Sequence, residues 1–496
     1  MRSDNIPLDM LTEQKRLGQY FTPPEVAALL VKWATRGPQD RLLDPSCGDG
    51  EFLVRHANST GVDLSEEACV VAGSRAPSAD LVHSDFFEWA ETTNKRFDAA
   101  AGNPPFIRYQ LFNGDRRTRA LKLCAKAGAN ISGLTSSWAP FIVASSTLLR
   151  PGGSLAFVVP AEIGHASYSF AVLQYLCSHF SHVHIIAIRE KIFPELSTDV
   201  WLLHTHGFGQ KTSSVGFSAH DRFAKVPDNA SPQRLIDIRN LRESGGRLRR
   251  YLLPPDGLAH YDELSARDGV FALGSLARVG IGYVSGDNSF FHLRPSEATD
   301  LGIPKELLRV TIRKGSQLST SEVTDSEVAR WIADDQEVLL LDLNHLEQLP
   351  TPVTAYLDSE ESRRAMRRYK CRTRKPWYAV PDVSPPDAFL TYMNGVEPSF
   401  VLNSAACVCT NSILAVRFLP MTRVDSNCLS RAWGHPLARL SQEIEGHPLG
   451  GGMLKLEPRE ASRVKLPLHS NLKLDLDLLQ HSTSVMRSWR HISPSA

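Results

Sequence analysis

The feature that most constrains this chain is an alternation in its first part. Short apolar runs, each ending in an acid or in Gly, Asn or Pro, are separated by stretches with helical spacing. RLLDP (41–45), TGVDL (60–64), ADLVHSD (79–85) and FDAAAGNPP (97–105) share the first form. PEVAALLVKWA (24–34) places apolar residues at i, i+3, i+4 and i+7, the period of a helix with one buried face. SSWAPFIVASSTLLRPGG (136–153) predicts a helix stopped by Pro-Gly-Gly, and SLAFVVP (154–160) a buried strand. HVHIIAIRE (182–190) and STDVWLLHTHG (197–207) lie too close together for a helical crossover, which predicts an antiparallel pair. Strands alternating with helices imply an α/β fold whose mostly parallel sheet binds ligands at its strands' C-terminal ends.

Chemistry is therefore to be sought where these strands stop. Asp44-Pro45-Ser46-Cys47-Gly48-Asp49-Gly50 follows the first strand. Its glycines let backbone approach a ligand. The run is not GxGxxG and has no Lys-Ser/Thr after the glycines, so it does not read as a phosphate loop. Asp44 and Asp49 suit a cationic ligand, and S-adenosylmethionine carries a sulfonium and an ammonium. Asp63 ends the second strand, where it can take ribose hydroxyl hydrogen bonds or cap a helix in competition with Ser65. Asp85 ends the third, where it can accept from an adenine amino group, with Phe86 beside the ring. Upstream, Gly18-Gln19-Tyr20-Phe21-Thr22-Pro23-Pro24 offers Thr22 as a helix N-cap, and the free N–H groups of that helix as a carboxylate site.

Asn103-Pro104-Pro105-Phe106 ends the fourth strand. The lone pair of an exocyclic amine is delocalised into its ring. Two oxygen acceptors on its hydrogens, the Asn103 side chain and the Pro104 carbonyl, would localise that pair. Pro104 and Pro105 stiffen the turn, and Phe106 can stack on an extruded base. Standing alone, each of these segments also has a plainer structural reading as a turn or a cap.

Taken in order, GQYFTPPE, DPSCGDG, GVDLS, SDFFEW and NPPF resemble the gamma-type adenine-N6 DNA methyltransferases of restriction-modification systems. The likeness covers about residues 15–210. It implies a Rossmann-like class I methyltransferase domain at 1–235, a linker at 236–270 and a C-terminal α+β target recognition domain at 271–496. By the same likeness, Tyr20 and Thr22 hold the methionine carboxylate of S-adenosylmethionine, and Asp44, Ser46, Gly48 and Gly50 hold its amino end. Asp63 binds the ribose, and Asp85 with Phe86 the cofactor adenine. Asn103, Pro104, Pro105 and Phe106 act on the target base, and Phe193 borders it unless it is simply a core aromatic.

The net charge is +1, from 55 basic and 54 acidic residues, so bulk charge does not point to nucleic acid. A local cluster does. Arg363, Arg364, Arg367, Arg368, Lys370, Arg372, Arg374 and Lys375 fall within thirteen residues, followed by Trp377. They can contact DNA phosphates, or they can form a solvated helix face. Double-stranded DNA is the expected partner and N6 of a flipped-out adenine the expected target. RNA, protein glutamine and cytosine-N4 are the competing substrates within the same chemistry. No paired-carboxylate nuclease constellation is evident and the chain opens near the cofactor segment, so any cleavage is expected of a separate cognate endonuclease. No metal site is expected. The eight cysteines form no CxxC pair, and no apolar run nears the ~20 residues that span a bilayer. The expectation is a monomer in a bacterial or archaeal cytoplasm, away from membranes.

Overall fold

The computed structural model describes residues 21–108, 110–131, 133, 135–166, 168–194, 196, 198–344, 346, 348–420, 425–468 and 474–492. It divides into two compact units, Met1–Leu252 and Leu253–Ala496. The first is built on nine strands: β1 (Leu42–Asp44), β2 (Ser59–Asp63), β3 (Asp80–His83), β4 (Phe97–Gly102), β5 (Leu149–Pro160), β6 (Phe180–Ile188), β7 (Val200–Phe208), β8 (Ser214–His220) and β9 (Arg234–Asp237). Their spatial order is β3-β2-β1-β4-β5-β7-β6-β8-β9. Strands β3 through β5 run parallel. β7 is antiparallel to both β5 and β6, as the short gap before it predicts.

The inner parallel strands β1 and β4 read as apolar runs because helices cover both faces, while the edge strand β3 is more exposed. Helix α1 (Pro24–Ala34) packs Val26, Ala27, Leu30 and Trp33 onto Leu42, Ala99, Ala156 and Leu202. Helices α2 (Glu66–Arg75), α3 (Phe86–Thr92), α4 (Gly114–Lys126), α5 (Trp138–Thr147) and α6 (Ser169–His179) complete the unit's larger helices. Phe86 stacks on Phe141 of α5 with ring centroids 5.2 Å apart. Phe87 meets the same ring edge-on at 4.7 Å.

Two boundaries differ from expectation. Helix α5 stops at Thr147, before Pro151, and β5 begins at Leu149. The Pro-Gly-Gly residues lie inside β5, where a register shift against Phe97 and Ala99 and a positive φ at Gly152 absorb them. Further on, where the pattern loosens after residue 210, β8 and β9 extend the sheet. Their buried faces rest on only a few side chains, such as Val215, Phe217 and Ile236. Residues 236–270, expected to link the units, carry helices at Ile238–Glu243 and Pro255–Ser265.

The second unit is α+β. A five-stranded sheet joins Ala277–Ile281, Ile413–Phe418, Ala388–Thr391, Phe400–Asn403 and Glu322–Val323, with mostly antiparallel pairing. Helices Pro436–Glu445 and Leu476–Ser488 are bound together through Arg490, which is 1 % exposed. All five of its N–H groups find acceptors: both oxygens of Glu443 at 2.9 and 2.6 Å, and the carbonyls of Gly395, Val396 and Gly452. Among the described residues, no helix is long and apolar enough to cross a membrane.

Removing this guanidinium would take one donor from each of three carbonyls and two from buried Glu443, which keeps Arg487 Nε at 3.3 Å. Arg490→Ala is expected to destabilise the protein by about 3–5 kcal/mol. Denaturant titration followed by tryptophan fluorescence measures this, and a loss under about 1 kcal/mol would show the pair to be dispensable.

Candidate active site

The order of the strands reverses at β1, with β2 on one side and β4 on the other. Loops leaving the two sides diverge and open a crevice at the strands' C-terminal ends. A cavity of about 790 Å³ lies there, with Ser46 and Gly48, Asp63, Asp85 and Asn103 on its wall, one segment from each of β1 to β4.

The glycine loop is held from two sides. Cys47 N–H donates to the Val62 carbonyl at 3.0 Å, and Gly48 N–H donates to Asp63 Oδ2 at 2.9 Å. Asp63 Oδ1 accepts from Ser65 N–H at 2.9 Å, while Ser65 itself caps α2. Asp63 is thus a loop anchor with lone pairs left on both oxygens, and the capping task falls to its neighbour. Gly48 has a φ of 51° and faces open space. Gly50, with a φ of 86°, is not on the cavity wall. A Cβ there would press on Ala72 at 3.0 Å, so this glycine serves the packing of the loop on α2.

Asp44 lies beneath the loop, 1 % exposed. Its Oδ1 accepts from Ser46 N–H at 3.2 Å, and its Oδ2 has no hydrogen-bond partner among the described residues. Burial pushes its carboxyl up to about 8, and the neighbouring charges of Asp63 and Asp49 add to the effect. Asp49, counted from sequence toward a cationic ligand, is instead paired with Arg75. Asp44 is itself off the cavity wall, behind Pro45 and Ser46, which are on it. Its unmatched oxygen and the free lone pairs of Asp63 suit a ligand rich in N–H and O–H donors and positive in charge. S-adenosylmethionine fits that description.

Asp85 caps α3, its Oδ1 accepting from Phe87 N–H at 3.0 Å and Glu88 N–H at 3.2 Å. Its Oδ2 accepts from Arg116 Nε at 2.5 Å. Phe86 is 3 % exposed, and its edge reaches the cavity beside Phe141. Thr22 lines the cavity but caps nothing. Pro23 occupies the N-cap position of α1, and no side chain caps that helix. Tyr20 lies outside the described residues.

Asn103 is half-buried on the cavity wall, and its side-chain amide makes no hydrogen bond among the described residues. Its carbonyl accepts from Ser46 Oγ at 3.4 Å. The two prolines do not hold the turn alone. Fully buried Ser137 donates from Oγ to the Pro105 carbonyl and accepts there from Ile107 N–H at 2.9 Å. Ser137 N–H donates in turn to the Ile107 carbonyl at 2.9 Å. Pro104 is buried. Phe106 is half-buried against a core cluster that contains Phe193. Phe193 is 3 % exposed and off the cavity wall, so its plain reading as a core aromatic is the one observed. Sequence reading missed Arg116, Ser137 and Phe141. Only the packing of α4 and α5 brings them to this crevice.

In the second unit the basic run spans short helices at Glu360–Met366 and Tyr369–Arg372. Its members differ in role. Arg374 donates to the carbonyls of Ser285 and Val284 at 2.6 and 2.5 Å. Arg368 pairs with Asp287 at 3.2 Å, and Arg364 donates to Ser289 Oγ at 2.9 Å. Trp377 belongs to an internal aromatic group with Phe290 and Phe291. Arg372 and Lys370 lie over the exposed Tyr369 ring. Arg363, Arg367 and Lys375 are exposed and have no acidic partner among the described residues. A cavity of about 590 Å³ adjoins this run, with Lys370, Arg374 and Arg417 on its wall. His447, Glu457 and Glu460, also in this unit, bring potential metal-ligand atoms within 4.8 Å of one another, although Lys455 already pairs with Glu457.

Comparison with known proteins places these observations. Residues 246–493 match the C-terminal domain of the type II methyltransferase M.Eco57I. Residues 61–193 match the Eco57I restriction-modification methylase, and residues 8–73 the N-6 DNA methylase family. The type II methyltransferase M.AccI of Acinetobacter calcoaceticus is 22% identical over 96% of this chain and 88% of its own length. M.XamI of Xanthomonas campestris pv. amaranthicola is 23% identical over 95% of this chain and 89% of its own. The solved type IIG restriction endonuclease BpuSI aligns with 99% of this chain at 15% identity and a TM-score of 0.42, and the chain spans 62% of its length. The family match, the strand order and the cavity at the strand reversal agree: the chain belongs to the type II DNA methyltransferases of restriction-modification systems, in the Eco57I group, with S-adenosylmethionine as methyl donor.

Proposed function

We propose that this chain methylates N6 of a flipped-out adenine in double-stranded DNA at a specific site, as the modification component of a restriction-modification system. The observation that carries this reading is the Asn103 amide, which is exposed to the cavity and uncommitted while its backbone is pinned by Ser46 and Ser137. An amide held so offers its oxygen to an incoming amine at little cost in ordering, since the turn is already fixed.

In this reading Asn103 Oδ1 and the Pro104 carbonyl accept the two amino hydrogens of the target adenine. The nitrogen lone pair is thereby drawn out of conjugation and aimed at the donor. When bound, S-adenosylmethionine supplies an electrophilic sulfonium methyl, so no base need act before transfer. Asp44 would meet the cofactor's ammonium and Asp63 its ribose hydroxyls. Asp85 and Phe86 would meet its adenine, and the start of α1 around Thr22 its carboxylate. Phe106 would stack on the flipped base after a modest movement out of its packing. The first unit is then catalytic and the second reads the target. Arg363, Arg367 and Lys375 are the cations freest to meet phosphate. Cleavage of unmodified sites would fall to a separate cognate endonuclease, and the protein would act as a monomer.

Three outcomes test this. Asn103→Ala is expected to lower methyl transfer to DNA by at least about a hundredfold, the scale of losing an acceptor that acts in the transition state, with cofactor affinity unchanged by calorimetry. Full turnover in that variant removes the polarising role. Sequencing of the methylated product should show N6-methyladenine, and N4-methylcytosine would refute the adenine assignment.

The second outcome concerns Asp44. In the free protein its raised carboxyl holds a proton that a bound ammonium would displace, so binding releases a proton and affinity should rise with pH. Between about pH 6 and pH 7.5, below the range where an α-amino group loses its own proton, the gain is expected to approach about tenfold per pH unit. In Asp44→Asn the slope should vanish. A flat wild-type profile by calorimetry would separate Asp44 from the cation.

The third outcome concerns DNA. Replacing Arg363 and Arg367 together by Ala should weaken binding across all sequences and reduce the salt slope by about 2. An unaltered slope in fluorescence anisotropy would remove these residues from the interface.

A further inference from the structure

Helices α3 and α4 are joined by three evenly spaced ion pairs. Arg116 meets Asp85 at 2.5 Å, Arg119 meets Glu88 at 2.6 Å, and Lys122 meets Glu91 at 2.8 Å. Spacing by three keeps each set on one helix face. The outer two pairs are open to solvent, with Glu88 57% and Lys122 70% exposed, and such pairs contribute little. The inner pair differs. The side chain of Asp85 is 15% exposed and that of Arg116 30%, and both stand on the wall of the cofactor cavity.

A carboxylate offers about four acceptor sites. Asp85 uses three, two for the N–H groups that start α3 and one for Arg116 Nε. One acceptor site is left for a ligand, held in orientation by three donors. The remaining guanidinium N–H groups of Arg116 make no hydrogen bond among the described residues. Acceptor and donor thus stand side by side. A 6-amino purine presents the complementary order on its edge, an N–H beside an unprotonated ring nitrogen. A 6-oxo purine presents the reverse, a carbonyl beside a ring N–H.

We propose that Arg116 is a specificity-determining residue for the methyl donor, holding Asp85 and standing beside it so that the cavity selects a 6-amino over a 6-oxo purine. This rests on the reading that the cofactor's purine lies at Asp85. Arg116 acts on the ligand both through Asp85 and by its own unengaged N–H groups. The outer pairs hold the helices and do not enter the selection.

The test measures dissociation constants of S-adenosylhomocysteine and S-inosylhomocysteine by calorimetry on the full-length protein, with thermal unfolding recorded for each variant. The wild type should favour the adenosyl compound by at least about tenfold, as a charge-assisted hydrogen bond implies. Arg116→Ala should bring the two within about threefold, and Arg116→Lys, which keeps the charge without the fork, should fall between. Arg119→Ala and Lys122→Ala should preserve the wild-type ratio. Should Arg116→Ala fail to fold, the lysine variant gives the reading, and a wild-type ratio in it overturns the proposal. An undiminished ratio in a folded Arg116→Ala does so too, as does an equal loss in Arg119→Ala, which would make the ladder a packing device only. Asp85→Asn separates the underlying placement. If it leaves both affinities untouched, the purine does not lie at Asp85. If it weakens them while Arg116→Ala does not, the placement stands and the role of Arg116 fails.

Discussion

Each group in the crevice depends on how closely β4 can end against β1. Gly102 is the last residue of β4, and a Cβ there would come within 2.7 Å of Asp44 Oδ1 and 3.3 Å of Phe157. Only a bare backbone lets the two strand ends approach this far. That approach brings the Ser46 hydroxyl to the Asn103 carbonyl across the strand reversal. The glycine loop and the Asn103 turn are therefore linked, although 57 residues separate the bonded residues in sequence. In the proposed reaction the attacking atom and the methyl carbon must be aligned, and a link between these two segments would help to set that alignment.

The same crowding creates an electrostatic debt at Asp44. A buried carboxylate with one oxygen unmatched is costly, and folded proteins rarely keep one without a reason. Asp63, fifteen residues away from Gly48 in sequence, shows the alternative: its two oxygens are each given a backbone donor. The two acids therefore differ in how far backbone donors already satisfy them. A permanent cation would have satisfied Asp44 and closed the site. Arg75 pairs instead with Asp49 and Glu51, and Asp44 is left without a cation among the described residues.

Much of this was legible in the sequence where the signal is local. Strands buried on both faces show as plain apolar runs, and their ends show as sudden polarity, so Asp44, Asp63, Asp85 and Asn103 could be placed at one edge of a sheet before any coordinates. The N-cap at Thr22 failed because Pro23 and Pro24 both satisfy the start of α1, and a neighbour of two prolines need not supply the cap. Phe193 and Trp377, both packed among other side chains, show a different limit. An aromatic in a polar segment has the same local signature whether it faces a ligand or a core, and only tertiary packing decides. Ser137 and Arg116 had no local signature at all. Each is one Ser or Arg among many, given meaning by the packing of α5 and α4.

The basic run shows how far composition can mislead in both directions. Whole-chain neutrality hides a dense local charge, yet that density overstates the charge available to a partner. Arg374 and Arg368 reach back about eighty to ninety residues in sequence to tie down the segment at 284–287, and Trp377 packs against Phe290 and Phe291 just after it. These residues organise a surface, and Arg363, Arg367 and Lys375 stand on it. For a protein that must find one short sequence among many, this division has a physical advantage. A chain with little net charge gains little from indiscriminate attraction to the duplex, so in the proposed reading more of its affinity would come from a few locally placed cations.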